Sequence, residues 1–242
     1  MIWHVLAKLL RIFLVGEYRA AFLRTRVAAA VEHDRVLAGL QLKTVVDIGA
    51  NRGQFALCVR RLYPRAEIYS FEPLQKAADR WLKNFRRDPR AHLYVKAVAN
   101  RSGYAQIHVT RWDVSSSLLP VGPEQRRSFP FSEEVERATI ETARLADCLE
   151  DAAVVAPALL KLDVQGFELD ALQGCVDLLP AFEFVYVEAS FIELYVGQAL
   201  ASDVIALLQQ QGFRLFSVAN LVRGKSCRPI QADFLFSRDS AT

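Results

Sequence analysis

Apolar and polar positions along the chain repeat with two periods, one typical of strands and one typical of helices. Short apolar runs have the length of buried strands, and several segments between them place an apolar residue every three or four positions, as amphipathic helices do. Strands that alternate with helices at this spacing predict a parallel, doubly wound α/β sheet. The predicted strands are 44–48, 68–72, 92–99, 104–110, 158–163, 184–188, 213–218 and 232–236.

The N-terminal segment has a helical pattern of its own. Residues 2–15 are mostly apolar, with His4, Lys8 and Arg11 on one helical stripe, which predicts an amphipathic helix with a broad apolar face. Helical spacing continues towards residue 42. We therefore expect residues 1–42 to form a helical extension that covers the sheet edge or the mouth of a ligand site, and residues 43–242 to form one domain.

The partner of this apolar helix stays open at the level of sequence. The run is too short and too interrupted to span a bilayer, which needs about 20 apolar residues. Three arginines within 19–26 disfavour a secretory signal peptide. The helix could pack against the domain or form a homodimer with a twin subunit, it could lie on a membrane surface with Trp3 and Phe13 inserted, or it could fray.

Residues 112–142 lose the regular alternation seen in the rest of the domain. The segment contains Ser115, Ser116 and Ser117, several prolines and a pair of arginines. A polar, proline-punctuated insertion before the next strand is where such a fold would keep a substrate lid. A disordered surface loop explains the same pattern equally well.

Composition narrows the class of protein without naming a function. A chain of 242 residues with 52% hydrophobic content can bury one large core. A net charge of +3, without a basic cluster interleaved with aromatic residues, gives no reason to expect nucleic acid binding. The four cysteines are widely spaced and include no C-x-x-C pair. We therefore expect neither a zinc nor a redox centre and favour a reducing, cytoplasmic location.

The first chemical signal lies in the turn between the strand 44–48 and the helix that follows it. Gly49 and Gly53 sit in this turn, where glycine allows positive φ and lets a ligand approach bare backbone. The next helix would point its free N–H groups and the positive end of its dipole at that ligand. The pattern predicts a site for a nucleotide-like cofactor.

Two acidic residues refine the kind of cofactor. Glu72 ends the second predicted strand about 20 residues after the glycines, where a carboxylate suits ribose hydroxyls. Asp47 ends the first strand, where a fixed negative charge would repel a pyrophosphate and attract a cationic amino group. The spacing Gly49-x-Asn51-x-Gly53 also departs from the G-x-G-x-x-G pattern of dinucleotide sites. These residues favour S-adenosylmethionine.

Three separated motifs resemble those of the FkbM family of S-adenosylmethionine-dependent methyltransferases. They are residues 47–55 (DIGANRGQF), 71–73 (FEP) and 161–168 (KLDVQGFE), within a resemblance that covers about residues 43–237. It implies a class I methyltransferase, Rossmann-like fold, with a mostly parallel seven-stranded sheet, helices on both faces and an antiparallel final strand. It also implies O-methylation of a sugar or another hydroxyl-bearing product. Gln165 departs from the family pattern K-x-D-x-E-G.

The predicted donor site combines the glycine turn with the ends of the neighbouring strands. Ligands in open α/β sheets collect at the carboxyl ends of the strands, so the end of the third strand should lie beside the adenine. The predicted cofactor-binding residues are Asp47, Gly49, Asn51, Gly53, Phe71, Glu72 and Val98.

The predicted catalytic residues are Lys161 and Asp163, which alternation places on one side of a buried strand. Charges in such a strand are costly without partners, which favours a role beyond stability. Asp163 would act as general base or hydroxyl anchor, with Lys161 orienting it or lowering the pKa of the alcohol. A divalent cation held by Asp163 and Glu188 could do the same, although Gln165 removes a carboxylate that such a site would use.

Acceptor contacts are predicted at Ser116, Ser117 and Glu188, and the acceptor is expected to be a small molecule or glycan, including a lipid-linked one. Two other functions stay open on the sequence. One is an NAD(P)-dependent oxidoreductase on the same sheet, against which Asp47 argues. The other is a catalytically silent S-adenosylmethionine-binding or membrane-associated protein, held at the inner face of a membrane by residues 2–15.

Overall fold

The computed structural model of the chain describes residues 2–224 and 227–238, without the side chains of residues 2–5 and 7. The predicted membrane insertion of Trp3 and the position of the His4 side chain therefore lie outside the described residues, as do residues 239–242 of the predicted domain.

Eight α-helices and ten strands are found in the described part of the chain. The helices are α1 Ile2–Leu14, α2 Gly16–Thr25, α3 Asp34–Leu37, α4 Gln54–Leu62, α5 Gln75–Phe85, α6 Pro123–Ser128, α7 Glu168–Gln173 and α8 Ala201–Gln210. The strands are β1 Thr44–Ile48, β2 Glu67–Phe71, β3 Ala91–Tyr94, β4 Ala97–Val98, β5 Gly103–Thr110, β6 Glu134–Ala143, β7 Ala158–Leu162, β8 Phe184–Ser190, β9 Arg214–Arg223 and β10 Pro229–Ser237.

Seven of these strands form one sheet in the order β3-β2-β1-β7-β8-β10-β9. The pairs from β3 to β8 are parallel, while β10 runs antiparallel to both of its neighbours. This arrangement confirms the predicted mostly parallel, seven-stranded α/β sheet with an antiparallel last strand. The glycine turn follows β1, and the strand order changes direction between β1 and β7. Ligands of open α/β sheets bind at such a point, outside the carboxyl ends of the strands.

An apolar layer covers each face of this sheet. One face contributes residues such as Val46, Leu160 and Val187 to a core that includes α7 and α8. Val45 and Leu159 point to the other face, where they share a core with Ile12 and Tyr18 of the N-terminal segment. Ile12 and Tyr18 are both fully buried. The N-terminal helices therefore pack on this face of the sheet. This contact is the predicted packing against the domain.

The structure of residues 92–99 and of the insertion 112–142 differs in part from the prediction. Residues 92–99 form two short strands, because β3 pairs with β2 whereas β4 pairs with β6 in a second, three-stranded sheet. The expectation that residues 112–142 form an irregular insertion is wrong for α6 and also for residues 134–142. They belong to β6, which pairs antiparallel with β5. Alternation is masked in β6 because most of its first six side chains are exposed and polar.

Among the described residues, none of the helices is both long enough and apolar enough to cross a membrane.

Candidate active site

A cavity of about 360 Å³ opens at the carboxyl ends of β1, β2 and β7. This volume is in the range of pockets that bind small molecules. Its wall is built from the N-terminal segment, the glycine turn, the ends of three parallel strands and the insertion. The lining residues include Lys8, Glu32, His33, Gly49, Asn51, Phe55, Phe71, Glu72, Val98, Asp113, Ser116, Ser117, Lys161, Asp163 and Gln165.

Gly49 holds the turn after β1 against the neighbouring strand. Its φ is +79°, and a Cβ at this position would lie 1.9 Å from the carbonyl oxygen of Asp163. The amides of Gly49 and Ala50 both donate to the Phe71 carbonyl oxygen at 3.0 Å. Only glycine can bring the turn this close to β7, so the end of β1 presents its backbone directly to the cavity.

Gly53 supports the turn from the opposite side. Its φ is +87°, and a Cβ there would lie 2.8 Å from a ring atom of Phe85 and 2.9 Å from one of Trp81, both on α5. Gly53 is not part of the cavity wall, whereas Asn51, with a left-handed φ of 45°, is. The predicted donor contact at Gly53 stays a prediction, and the packing against α5 explains why glycine stands where α4 begins.

Glu72 is buried at the cavity wall and fixes the turn through its side chain. Oε2 accepts a hydrogen bond from the Asn51 amide at 2.9 Å, and Oε1 accepts one from the Leu74 amide at 2.8 Å. Burial raises the pKa of Glu72 to about 7, although both backbone donors act in the opposite direction. The carboxyl group is thus both a brace for the glycine turn and an acceptor facing the cavity.

Asp47 and Lys161 form a buried ion pair on adjacent strands. Lys161 Nζ lies 3.0 Å from Asp47 Oδ1 and 3.9 Å from Asp163 Oδ2, and it donates to the Gly49 carbonyl oxygen at 3.2 Å. Burial alone would lower the pKa of Lys161, but the carboxylates of Asp47 and Asp163 outweigh it and raise that pKa. Lys161 therefore stays charged, and Asp47 is a closer partner than the predicted one, Asp163.

The Asp47 carboxylate lies behind the cavity wall. The side chain is fully buried, and the ammonium of Lys161 lies 3.0 Å from its Oδ1 and offsets its charge. The predicted attraction of a cationic donor by Asp47 therefore stays a prediction. The bare backbone at Gly49 and the carboxyl group of Glu72 at the cavity wall fit a nucleoside donor such as S-adenosylmethionine.

Asp163 and Glu188 are linked by the side chain of Gln165. Its Nε2 donates to Asp163 Oδ1 at 2.7 Å and to Glu188 Oε2 at 3.2 Å, while Gln231 donates to Glu188 Oε1 at 2.7 Å. Glu188 is thus held beneath Gln165 and is not part of the cavity wall. The predicted contact of Glu188 with the acceptor stays a prediction, and the amide donor on each of its oxygens weakens it.

The same contacts do not fit a divalent cation between Asp163 and Glu188. An amide nitrogen that donates to both carboxylates occupies the bridging position, and it cannot act as a metal ligand. Among the described residues, no group of three or more His, Cys, Asp or Glu side chains is arranged to hold a metal ion. We therefore derive no step through a metal.

The insertion closes one side of the cavity and is fastened to the glycine turn. Arg52 Nη2 donates to both carboxylate oxygens of Asp113 at 2.6 Å. Ser116 and Ser117 line the cavity as predicted. Their Oγ atoms accept hydrogen bonds from the backbone of the insertion, at 3.1 Å from the Thr110 amide and 3.0 Å from the Leu119 amide. Both hydroxyl oxygens are already bonded to the backbone of the insertion. These bonds weaken the predicted role of the two serines in binding the methyl acceptor.

His33 is a cavity residue that the sequence did not reveal. Its Nδ1 lies 2.9 Å from Tyr186 Oη and 3.4 Å from Asp233 Oδ2. Tyr186 and Asn220 donate to that same Asp233 oxygen at 2.9 and 2.7 Å. The imidazole is therefore fixed by residues from β8, β9 and β10. Its Nε2 makes no side-chain hydrogen bond within residues 2–224 and 227–238. No local pattern could have found it, because Tyr186 and Asp233 lie more than 150 positions away in the chain.

The remaining predicted donor residues lie at the wall. Phe71 is fully buried, and its ring stacks on Tyr94 with centroids 4.8 Å apart. Val98, at the end of β4, is 1% exposed and lines the cavity. The predicted contact of Val98 with adenine stays a prediction.

Comparison with known sequences points to one family. The profile described as "Methyltransferase FkbM domain" matches residues 47–215. The chain is 31% identical over 172 residues to "2-O-methyltransferase NoeI" of Sinorhizobium fredii, an alignment that covers 68% of this chain and 70% of that protein. It is 27% identical over 143 residues to "Hexuronic acid methyltransferase AglP" of Haloferax volcanii, covering 59% of this chain and 54% of that protein.

Among solved structures, the magnesium protoporphyrin IX methyltransferase of Synechocystis PCC 6803 with bound S-adenosylmethionine superposes with a TM-score of 0.48 at 10% identity. The superposition covers 86% of this chain and 76% of that chain.

Proposed function

This chain belongs to the FkbM family of S-adenosylmethionine-dependent methyltransferases, and from that premise we propose that it methylates a hydroxyl oxygen of a sugar. The observation that carries the proposal is that one cavity contains both the predicted donor residues and the predicted proton acceptor. Its wall includes the glycine turn, Glu72 and Asp163. The relatives named as a 2-O-methyltransferase and a hexuronic acid methyltransferase support an oxygen acceptor on a sugar. Glycans, glycolipids and glycosylated secondary metabolites all carry such hydroxyls.

Donor binding is assigned to the turn and to the acids around it. S-adenosylmethionine supplies a methyl group activated by a sulfonium. Glu72 faces the cavity with a carboxyl group able to accept hydrogen bonds from ribose hydroxyls, and the main chain of Gly49 and Asn51 forms the adjoining wall. Asp47 supports this wall indirectly, because it pairs with Lys161, which donates to the Gly49 carbonyl oxygen.

Asp163 is the proposed partner of the acceptor hydroxyl. It lines the cavity, its side chain is 39% exposed, and one of its oxygens is fixed by Gln165. It would accept the hydroxyl proton as the oxygen forms a bond to the methyl carbon and the carbon–sulfur bond of the sulfonium breaks, with the demethylated thioether as the leaving group. Lys161 is a positioning residue here, because it holds Asp47 and the Gly49 carbonyl. Alignment of the reacting atoms is worth up to about 7–11 kcal/mol in well-oriented systems.

The donor can be tested by its effect on thermal stability. A ligand present at about 100 times its dissociation constant stabilises the folded state by about 2.7 kcal/mol. For a chain of this size, we expect S-adenosylmethionine or its demethylated product to raise the Tm by about 5–11 °C, and NADPH to leave it unchanged. Stabilisation by NADPH alone would favour the oxidoreductase instead.

Methyl transfer itself needs a separate measurement. We expect radiolabel from the methyl group of the donor to enter glycan or glycolipid fractions of cell extracts, and to be lost when the sugar hydroxyls are blocked beforehand by acetylation. Donor binding without transfer to any glycan, lipid or small-molecule fraction would support the catalytically silent alternative.

Glu72 should make donor binding depend on pH. Its pKa of about 7 in the folded protein lies above the ordinary value of about 4.3, so between these values the folded state holds a proton that the unfolded state has released. The contribution of Glu72 to stability therefore falls as pH rises through this window. We expect donor affinity to rise from about pH 6 to about pH 8, as the carboxylate forms.

Calorimetry across this range checks the prediction, with Glu72→Gln as the comparison. Glu168 is buried and its pKa is also raised to about 7 by burial, but its Oε1 accepts from the Val164 and Gly166 amides and it is not part of the cavity wall. The pH dependence of donor affinity should therefore flatten in Glu72→Gln and persist in Glu168→Gln. A wild-type affinity that does not change with pH would contradict it.

We also propose that the reaction takes place in the cytoplasm. All four cysteines are free, and Cys58 and Cys175 are buried apart from any partner cysteine. Free thiols are typical of proteins in a reducing compartment. Fractionation of cells that express the protein, with antibody detection in each fraction, measures the location.

A further inference from the structure

The outward face of α1 is apolar. Leu6, Leu10, Phe13 and Leu14 have 52, 61, 41 and 73% of their surface exposed. Their spacing of three and four residues places them on one side of the helix. We call these four residues the apolar stripe. Single exposed apolar residues are ordinary on protein surfaces, but a row of four along one helix is a continuous patch of the kind that binds another apolar surface.

The charges of the same helix are used for contacts with the protein. Lys8 Nζ pairs with Glu32 Oε1 at 2.9 Å, and Arg11 Nη2 pairs with Asp34 Oδ2 at 3.2 Å. Ile12 lies fully buried beneath the helix. A surface helix of a globular protein has the reverse arrangement, with its apolar stripe inward and its charges in water. Among its described side chains, this helix is attached through Ile12 and the two ion pairs, and the four residues of the apolar stripe remain in solvent.

We propose that the apolar stripe docks the protein on the surface of an anionic lipid bilayer. Helices that lie in a bilayer interface bury an apolar face near the acyl chains and place basic residues near anionic headgroups. Within α1 and α2, the described side chains include four basic residues and a single acid, Glu17. Arg19 Nη1 donates to the Phe13 carbonyl oxygen at 2.9 Å, which places a guanidinium beside the C-terminal end of the stripe.

Charge also decides between a membrane and a second copy of this chain. Lys8 and Arg11 are already paired with acids of this chain. Arg19 and Arg24 still outnumber Glu17 on α2. A twofold dimer through the stripe would bring two such positive surfaces together, whereas an anionic bilayer attracts both the stripe and its arginine. Docking has a consequence for the cavity, because Lys8 of the same helix is part of the cavity wall. The cavity opening would then lie close to the lipid surface, within reach of a lipid-linked acceptor. That consequence rests on the proposed function, and the docking does not.

Vesicle flotation tests the docking in the absence of donor and acceptor. The full chain is mixed with vesicles of phosphatidylcholine alone, or of equal parts phosphatidylcholine and phosphatidylglycerol. We expect binding to the anionic vesicles only, weakening as salt is added. The double variant Leu10→Glu/Leu14→Glu should lose on the order of 100-fold in partitioning, since burial of each leucine is worth about tenfold or more.

The double variant Leu82→Glu/Leu215→Glu is the control, because it adds the same two charges at exposed leucines of α5 and β9, each 42% exposed. It should float with the anionic vesicles as the wild type does. Retention of the wild-type melting temperature by both variants checks that they are folded. Equal flotation of Leu10→Glu/Leu14→Glu and the wild type would overturn the proposal. So would a wild type that ignores both vesicles and forms a dimer that Leu10→Glu/Leu14→Glu abolishes. Neither result depends on whether the protein transfers methyl groups.

Discussion

Replacing Asp163 with asparagine is expected to lower kcat by about 10²–10⁴-fold, the range attributed to a positioned proton acceptor, while donor affinity stays nearly unchanged. Asparagine keeps the shape of the side chain and an oxygen that can accept the 2.7 Å hydrogen bond from Gln165. It removes the negative charge that would take the acceptor proton. Because the fold and the cavity wall are preserved, the loss should fall on the chemical step.

Single-turnover kinetics with a sugar acceptor, together with calorimetry of donor binding, measure the two quantities separately. Asp170→Asn is the matched control, since Asp170 lies on α7, accepts a hydrogen bond from Asn100 and is not part of the cavity wall. Its kcat should equal that of the wild type. An unchanged kcat in Asp163→Asn would exclude Asp163 as the proton acceptor. Loss of donor binding together with turnover would make its role structural.

The parts of the site that depend on local sequence were predictable. The glycine turn follows from a short strand, a helix and the positions of Gly49 and Gly53, because φ preference is a property of each residue. Alternation along β7 correctly places Lys161 and Asp163 on one side, and the two charged groups lie 3.9 Å apart. These features need no knowledge of distant segments.

What the sequence could not show is which distant side chain meets which. Alternation along β8 also places Glu188 on the same side of the sheet as Asp163. The hydrogen bond from Gln165 to Glu188, however, depends on the left-handed φ of 55° at residue 165 and on the register between β8 and β10. The His33 cluster joins the N-terminal segment to β8, β9 and β10, which follow it in the chain by more than 150 positions. Such contacts are set by the sheet order, which the period of a single strand cannot encode.

Gln165 stands where the family pattern has Glu, and its contacts explain why an amide suits this position. A glutamate there would add a third carboxylate beside Asp163 and Glu188, and burial, with Asp163 and Asp233 nearby, already raises the pKa of Glu188 well above its ordinary value. The amide instead donates a hydrogen bond to each carboxylate. Gln165 therefore lets Asp163 stay an acceptor at the cavity wall without a cation to neutralise the group.

Replacing Lys161 with methionine is expected to destabilise the folded protein by about 3–5 kcal/mol, because it leaves the Asp47 carboxylate buried without a counter-charge. Total stability is commonly only about 5–15 kcal/mol, so the Tm should fall by roughly 6–20 °C. Burial raises the pKa of Asp47, and Lys161 opposes that rise. In the variant the folded-state pKa is higher still, so the loss of stability should grow as pH rises above the unfolded value of about 3.9.

Urea denaturation measures the free energy of unfolding of Lys161→Met, Asp47→Asn and the double variant. The comparison separates the energy of the ion pair from that of side-chain packing. Removing both charges can be nearly neutral, so we expect Asp47→Asn/Lys161→Met to recover most of the stability lost in Lys161→Met. Exposed Lys83→Met should stay within about 0.5 kcal/mol of the wild type. A double variant whose loss of stability equals the sum of the two single losses would show that the two residues are not coupled. A stable double variant that binds S-adenosylmethionine as the wild type does would show that the buried ion pair serves the fold and not donor binding, because both charges would be gone while packing at the turn was intact.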